Sequence, residues 1–145
     1  MPMKRIATVA VVALFSVLGV VAIGVHHASA AYACRDNQVC FYEGPNWTGS
    51  VFVPWEMSGR AGNVPDFSHR NFTNGTNAND RVTSVINNTG WCVLLFRAAG
   101  FLDENGRGNF GWRVKPDTRT NLMRSPFDNR VSSARFEWNV YRVCP

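Results

Sequence analysis

The sequence predicts an all-β protein, two Greek-key motifs stacked into a sandwich, behind an N-terminal signal peptide. Three observations carry that reading. After residue 31 the chain has almost no helical periodicity and consists of short apolar or alternating runs bounded by Gly, Asn, Asp and Pro. It also repeats itself: CFYEGPNW (Cys40–Trp47) aligns with LLFRAAGF (Leu94–Phe101), setting Tyr42 against Phe96 and Trp47 against Phe101. Finally, the hexapeptide NDRVTS (Asn79–Ser84) returns as DNRVSS (Asp128–Ser133), once in each copy.

At the N-terminus, Lys4 and Arg5 precede an uncharged apolar run, Ile6–Val25, and Ala28-Ser29-Ala30 supplies the small residues of a cleavage site. Such a run is long enough to span a bilayer, so an uncleaved anchor is the alternative. The adjacent A-S-A favours cleavage. Residues 1–30 are therefore expected to be a signal peptide, and 31–145 a secreted, monomeric domain of about 115 residues, large enough for one core. Without Lys4 and Arg5, 13 basic side chains face 10 acidic ones, a net charge of +3. These charges form no run, which argues against a nucleic-acid partner.

The strand expectations follow the chain: Val39–Glu43, Ser50–Trp55, Arg81–Asn88, Trp91–Arg97, Phe110–Val114 and Ser132–Cys144. EGPNWTG and NNTG between them are turn chemistry. The polar stretch Met57–Asn79 is long for a loop in a compact domain. It is expected to fold over the sheet, pinned by Phe67 and Phe72, with a short helical turn. The repeated units run from about Val39 to Asn88 and from Trp91 to Val143.

All four cysteines, Cys34, Cys40, Cys92 and Cys144, follow the leader, and an even count in an exported chain implies disulfides. Three pairings are open. Cys34–Cys40, a local clip, with Cys92–Cys144, which closes a long loop, is the preferred one.

The hexapeptides offer only oxygen: carboxylate, amide, hydroxyl and adjacent backbone carbonyls. Hard oxygen donors suit Ca²⁺ better than transition metals. In each copy the second side chain, the third carbonyl and the fifth hydroxyl are positioned to bracket an ion: Asp80, Arg81 and Thr83 in the first, Asn129, Arg130 and Ser132 in the second. Asn79 and Asp128, at the first position, are lesser candidates. One hexapeptide cannot supply the six to eight ligands of Ca²⁺, so the copies are expected to lend ligands to each other. One carboxylate per copy predicts weak binding. The competing reading is a polar turn that caps a strand.

The aromatic hairpin FYEGPNWTGS, with Tyr42 and Gly49 in their places, and the two hexapeptides together resemble the βγ-crystallin double-clamp domain. The leader and the cysteines resemble the actinobacterial secreted branch of metalloproteinase inhibitors. The resemblance spans Cys34 to Cys144. It implies that hairpin carbonyls near Glu43 and Arg97 complete the calcium sites, and that the partner is a secreted metalloprotease. The second hairpin departs from the pattern, with Asp103 where Gly is expected and an apparent insertion, Leu102–Asn109. Leu102–Asn109 and Met57–Asn79 are the candidate docking loops.

An enzyme is not expected. Only His69 remains after the leader, and no G-x-S-x-G or free thiol accompanies it. Asp103 with Glu104 reads as a solvated pair. Trp47, Trp55, Trp91, Trp112 and Trp138 read as core before they read as a sugar platform. The sequons at Asn46, Asn71, Asn74 and Asn87 read as loop composition, not glycosylation. Alternatives to inhibition are a calcium-stabilised envelope module and a small antimicrobial or carbohydrate-binding protein.

Overall fold

A computed structural model describes residues 32–59, 62–108, 111–137 and 144. The leader, Asn109–Phe110, Trp138 and most of the end of the last expected strand lie outside the described residues. Seven strands form two antiparallel sheets: β1 (Val39–Tyr42), β2 (Val51–Phe52), β3 (Ser84–Asn87), β4 (Val93–Phe96), β5 (Trp112–Val114), β6 (Thr118–Asn121) and β7 (Ser133–Phe136). The first sheet runs β2-β1-β3-β6 and the second β5-β4-β7.

The order shows how the two motifs are joined. β6 belongs to the second unit but pairs with β3 of the first, Ser84 opposite Asn121 and Asn87 opposite Thr118. The first unit reciprocates through Val64, which exchanges both backbone hydrogen bonds with Ala134 on β7. Each motif thus sends its third segment into the other's sheet.

Period-2 alternation sets the faces. On β1, Val39 and Phe41 enter the main core, while Cys40 and Tyr42 join Val51 and Ile86 in a cluster on the outer face. The segment before β1 covers that cluster, tied down by the Cys34–Cys40 disulfide and by Tyr42 donating its hydroxyl to the Tyr32 carbonyl at 2.7 Å. Cys92 and Cys144 form the second disulfide. Among the described residues there is no helix long and apolar enough to cross a membrane.

Several expected strands are shorter than their apolar runs. β2 stops at Phe52, and Trp55–Met57 is a 3-10 turn after Pro54, which has no N–H to donate to a ladder. β3 begins at Ser84, and the three residues before it lead out of the left-handed turn at Asp80, which has φ of 54°. β6, TRTN, has no counterpart among the expected strands: it is polar, and pairing with β3 makes it a strand. The Met57–Asn79 stretch covers the sheet as expected, with Phe67 and Phe72 buried. The short helical turn, Trp55–Met57, reaches only its first residue, and the regular features beyond are bridges Val64↔Ala134 and Asn71↔Asn77.

Phe67 is fully buried, with Phe41 and Phe52 meeting it edge-on at 5.1 and 5.3 Å between ring centroids. Phe67→Ala should therefore cost about 3–5 kcal/mol, chiefly as cavity. Urea denaturation of the variant measures this, and a loss under about 1 kcal/mol would mean the long loop is not part of the core.

Candidate metal centre and docking loops

Each hexapeptide divides into parts with different jobs. The second position, Asp80 or Asn129, is left-handed, with φ of 54° and 51°. Asn and Asp tolerate this conformation better than other non-glycine residues, which explains the residue type there. The backbone turn is the same in both copies: Asp80 N–H donates to the Val131 carbonyl and Asn129 N–H to the Val82 carbonyl, at 3.1 and 3.0 Å.

The left-handed turn aims the second side chain at the other copy. Thr83 donates its hydroxyl to Asn129 Oδ1 at 3.1 Å, and Ser132 donates to Asp80 Oδ1 at 2.9 Å. The second and fifth positions of one hexapeptide, expected to bracket an ion together, are instead paired crosswise. The structure brings Asp80 together with Ser132, and Asn129 with Thr83.

Other candidate ligands lie beside these pairs. Thr83 N–H donates to the Tyr42 carbonyl, so Glu43 follows next to the Thr83–Asn129 pair; Ser132 N–H donates to Phe96, so Arg97 follows next to Ser132–Asp80. Arg81 and Arg130 have exposed side chains, and among the described residues neither carbonyl accepts a hydrogen bond. Asn79 donates its amide to Asp80 Oδ2 at 2.9 Å. Asp128 accepts from Arg124 N–H through one oxygen, while its other, Oδ1, is buried without a partner among the described residues. No group of three His, Cys, Asp or Glu side chains that could hold a metal gathers among the described residues.

The sixth position was not assigned a role by sequence. Ser84 donates its hydroxyl to the Gly44 carbonyl at 2.6 Å and accepts from Trp47 N–H at 3.0 Å. Ser133 does the same with Ala98 and Phe101, at 2.7 and 3.1 Å. Each serine staples its own motif's folded hairpin, where Trp47 and Phe101 are both left-handed. The signal was present in the sequence, since Trp47 and Phe101 are aligned in the repeat.

The Leu102–Asn109 insertion is a tight turn in its described part. Asp103, expected to be solvated, is buried. Its Oδ1 accepts from the Asn105 and Arg107 N–H groups at 2.9 and 2.8 Å, and Oδ2 from Arg107 Nε at 3.1 Å. The Arg107 N–H above all, then that of Asn105 and the Arg107 charge, hold its carboxyl below the usual range against the opposing effect of desolvation. Glu104 pairs with Arg97, whose guanidinium lies 5.5 Å from the Phe127 ring centroid. Gly49, by contrast, closes the first hairpin with φ of 74°. Asn87, one of the sequon residues, is fully buried; its amide donates to Trp91, Val114 and Lys115 carbonyls and its oxygen accepts from Thr89. Trp91 and Trp112 pack on the core as expected, whereas Trp55 is 63% exposed.

Comparison with known proteins decides the family. The model of peptidase inhibitor family I36 matches residues 27–104, over half of the chain. The chain belongs to peptidase inhibitor family I36. This is a family of inhibitors, not of enzymes, and its members' partners are peptidases. A structure solved in work on the evolution of the eye lens βγ-crystallin domain fold is 18% identical, with a TM-score of 0.55, over 74% of this chain and 93% of that one. A double mutant of clostrillin in complex with nickel is 20% identical, with a TM-score of 0.50, over 70% of this chain and 98% of that one. These likenesses show that this I36 protein has the βγ-crystallin fold. No curated protein matches the chain.

Two predictions follow from the geometry. Ser84→Ala and Ser133→Ala should each cost about 1–3 kcal/mol, since each leaves a backbone donor and acceptor of a hairpin unpaired. Similar losses in urea denaturation are expected; a neutral result for either would dismiss its staple. The lowered Asp103 pKa means that the unfolded chain binds this proton more readily than the folded one. Its contribution to stability is whole above the ordinary carboxyl value near ~4 and is lost as pH falls through the depressed folded value. Asp103→Asn should therefore differ most from the parent at neutral pH, and the difference should shrink as the pH falls below the ordinary carboxyl value, as read by denaturation at each pH.

Proposed function

We propose that this chain is an exported inhibitor of metallopeptidases whose two motifs are locked by calcium. The inhibitor half rests on family I36 membership. The metallopeptidase class rests on the resemblance carried by the leader, the cysteines and the hexapeptides. Export rests on the leader and on two disulfides, which persist in oxidising compartments.

One observation supports calcium most directly. Oxygens of side chains far apart in sequence meet in pairs at 2.9 and 3.1 Å, a spacing that neighbouring ligands on one large cation also adopt. In the same hexapeptides, among the described residues, the carbonyls of Arg81 and Arg130 accept no hydrogen bond and Asp128 Oδ1 is buried without a partner. The donor set fits a hard cation, with Asp80, Ser132 and carbonyls of Arg130 and Arg97 at one clamp, and Asn129, Thr83 and carbonyls of Arg81 and Glu43 at the other. Asn79 and Asp128 support these from the first position. A bound cation supplies positive charge that draws the oxygens of both motifs together. Thr83 and Ser132 contribute by holding their hydroxyl oxygens against the opposite motif, so little of the site needs reordering.

Few carboxylates and access to water set the affinity in the micromolar to millimolar range. At a hundredfold excess over its Kd, calcium should add about 2.7 kcal/mol of stability for one site. Scanning calorimetry in millimolar Ca²⁺ should show a higher Tm than in chelator, and Thr83→Ala with Ser132→Ala should remove the rise; a rise that survives the double substitution refutes these clamps. Inhibition is tested separately, against a panel of secreted metallo-, serine and cysteine peptidases. Inhibition confined to the metallopeptidases is expected, and none at micromolar excess rejects that class.

A further inference from the structure

We propose that Asn105 is a site of spontaneous covalent modification: the Gly106 backbone nitrogen closes a succinimide on its side chain, and water opens the ring to aspartate or isoaspartate. The conversion needs neither calcium nor a peptidase. In the first step the Gly106 nitrogen bonds to Asn105 Cγ, the Cγ–Nδ2 bond breaks, and the proton of that nitrogen leaves with the amide as ammonia. In the second, water adds to one of the ring's two carbonyl carbons and the bond from that carbon to nitrogen breaks. Water is the only co-reactant.

The sequence restricts where this can happen. A side chain on the following residue crowds the attacking nitrogen, and glycine has none. Asn stands directly before Gly at Asn74-Gly75 and at Asn105-Gly106, and nowhere else in the chain. Both pairs are exposed, and a Cβ added at either glycine would meet nothing within 4 Å. Both turns are thus open to water and have room for a ring to close. Both glycine nitrogens also donate to a carbonyl, Gly75 to Phe72 at 2.9 Å and Gly106 to Asp103 at 3.0 Å. The two nucleophiles are therefore matched.

The side chains they attack are not. Asn74 has both ends of its amide engaged: Nδ2 donates to Glu43 Oε2 at 3.0 Å, and Oδ1 accepts from Thr76 N–H at 2.9 Å. Among the described residues nothing bonds to the Asn105 side chain, and only its backbone N–H is held, by Asp103 Oδ1. Turning Cγ onto the next nitrogen breaks side-chain hydrogen bonds at Asn74 and none at Asn105. The geometry thus singles out Asn105 from two pairs that the sequence makes equal.

The product changes the turn that buries Asp103. Isoaspartate routes the main chain through the former side chain, which lengthens it by a methylene. Asp103 N–H to the Arg107 carbonyl, at 2.7 Å, and Arg107 N–H to Asp103 Oδ1, at 2.8 Å, both reach across that lengthened link. The buried Asp103 carboxylate then loses a donor that holds it. Aspartate keeps the main chain but sets a third carboxylate directly after Asp103 and Glu104. Either product makes the protein more acidic.

The test incubates the secreted protein at mildly alkaline pH, folded and in urea. Peptide mapping by mass spectrometry follows both Asn-Gly pairs, and isoaspartyl methyltransferase labels the isoaspartate. In urea the two pairs should convert at similar rates. In the folded protein Asn105 should convert at least ~10-fold faster than Asn74, the factor that giving up two modest hydrogen bonds adds to a barrier. Asn105→Gln should stop the growth of the more acidic species on ion exchange. The aged isoaspartyl fraction should unfold at lower urea than fresh protein, and Asn105→Asp should lose less. Equal rates at the two pairs in the folded protein, or faster conversion at Asn74, overturns the proposal. So does an Asn105 that stays intact when folded but converts in urea. An isoaspartyl fraction as stable as fresh protein overturns the effect on the Asp103 turn.

Discussion

The structure depends on two crosswise hydrogen bonds, Thr83 to Asn129 and Ser132 to Asp80. Each is modest in net energy, as hydrogen bonds between side chains are. Their weight comes from what they register. A hydroxyl at the start of one motif's last strand meets a left-handed Asx of the other, so both turns, both hairpins and both sheet edges are fixed against one another. The exchange of β6 and Val64 between sheets repeats the same interlock at the level of backbone pairing.

The two halves are alike where the fold needs them to be alike. Ser84 and Ser133 hold equivalent hairpins by equivalent bonds, and Trp47 and Phe101 take the same left-handed turn. They diverge where the fold tolerates it. Gly49 ends the first hairpin with a positive φ; Asp103 ends the second by gathering N–H groups around a buried carboxylate. The two clamps also differ in charge, since Asp80 brings a carboxylate to one and Asn129 a neutral amide to the other.

Much of this was legible because it is local or repeated. Turn residues marked the ends of the strands, the repeat aligned Tyr42 with Phe96, and the hexapeptides marked the loops where the motifs meet. What could not be read was which copy each side chain would face. Spacing put Asp80 with Thr83, but φ at Asp80 is a property of the turn, and it reverses the partner. β6 escaped notice because nothing in TRTN is strand-like without β3 beside it. Asp103 looked solvated because the N–H groups that surround it belong to a loop whose closure no composition reveals. Asn87, read as loop composition, is a buried hub because its partners come from residues as far on as Lys115.

The crosswise clamps have a consequence for how the chain comes to exist. A polypeptide threaded N-terminus first through a narrow channel presents Asp80 and Thr83 long before their partners. Until Asn129 and Ser132 have emerged, the first motif has an unfilled sheet edge and two side chains whose cross-motif partners are missing. Each half alone lacks the strand and side-chain partners that the other supplies, so the interlock couples the folding of the two motifs. Interlocking repeats are thus a timing device: the last stretch to arrive is the one that closes the structure.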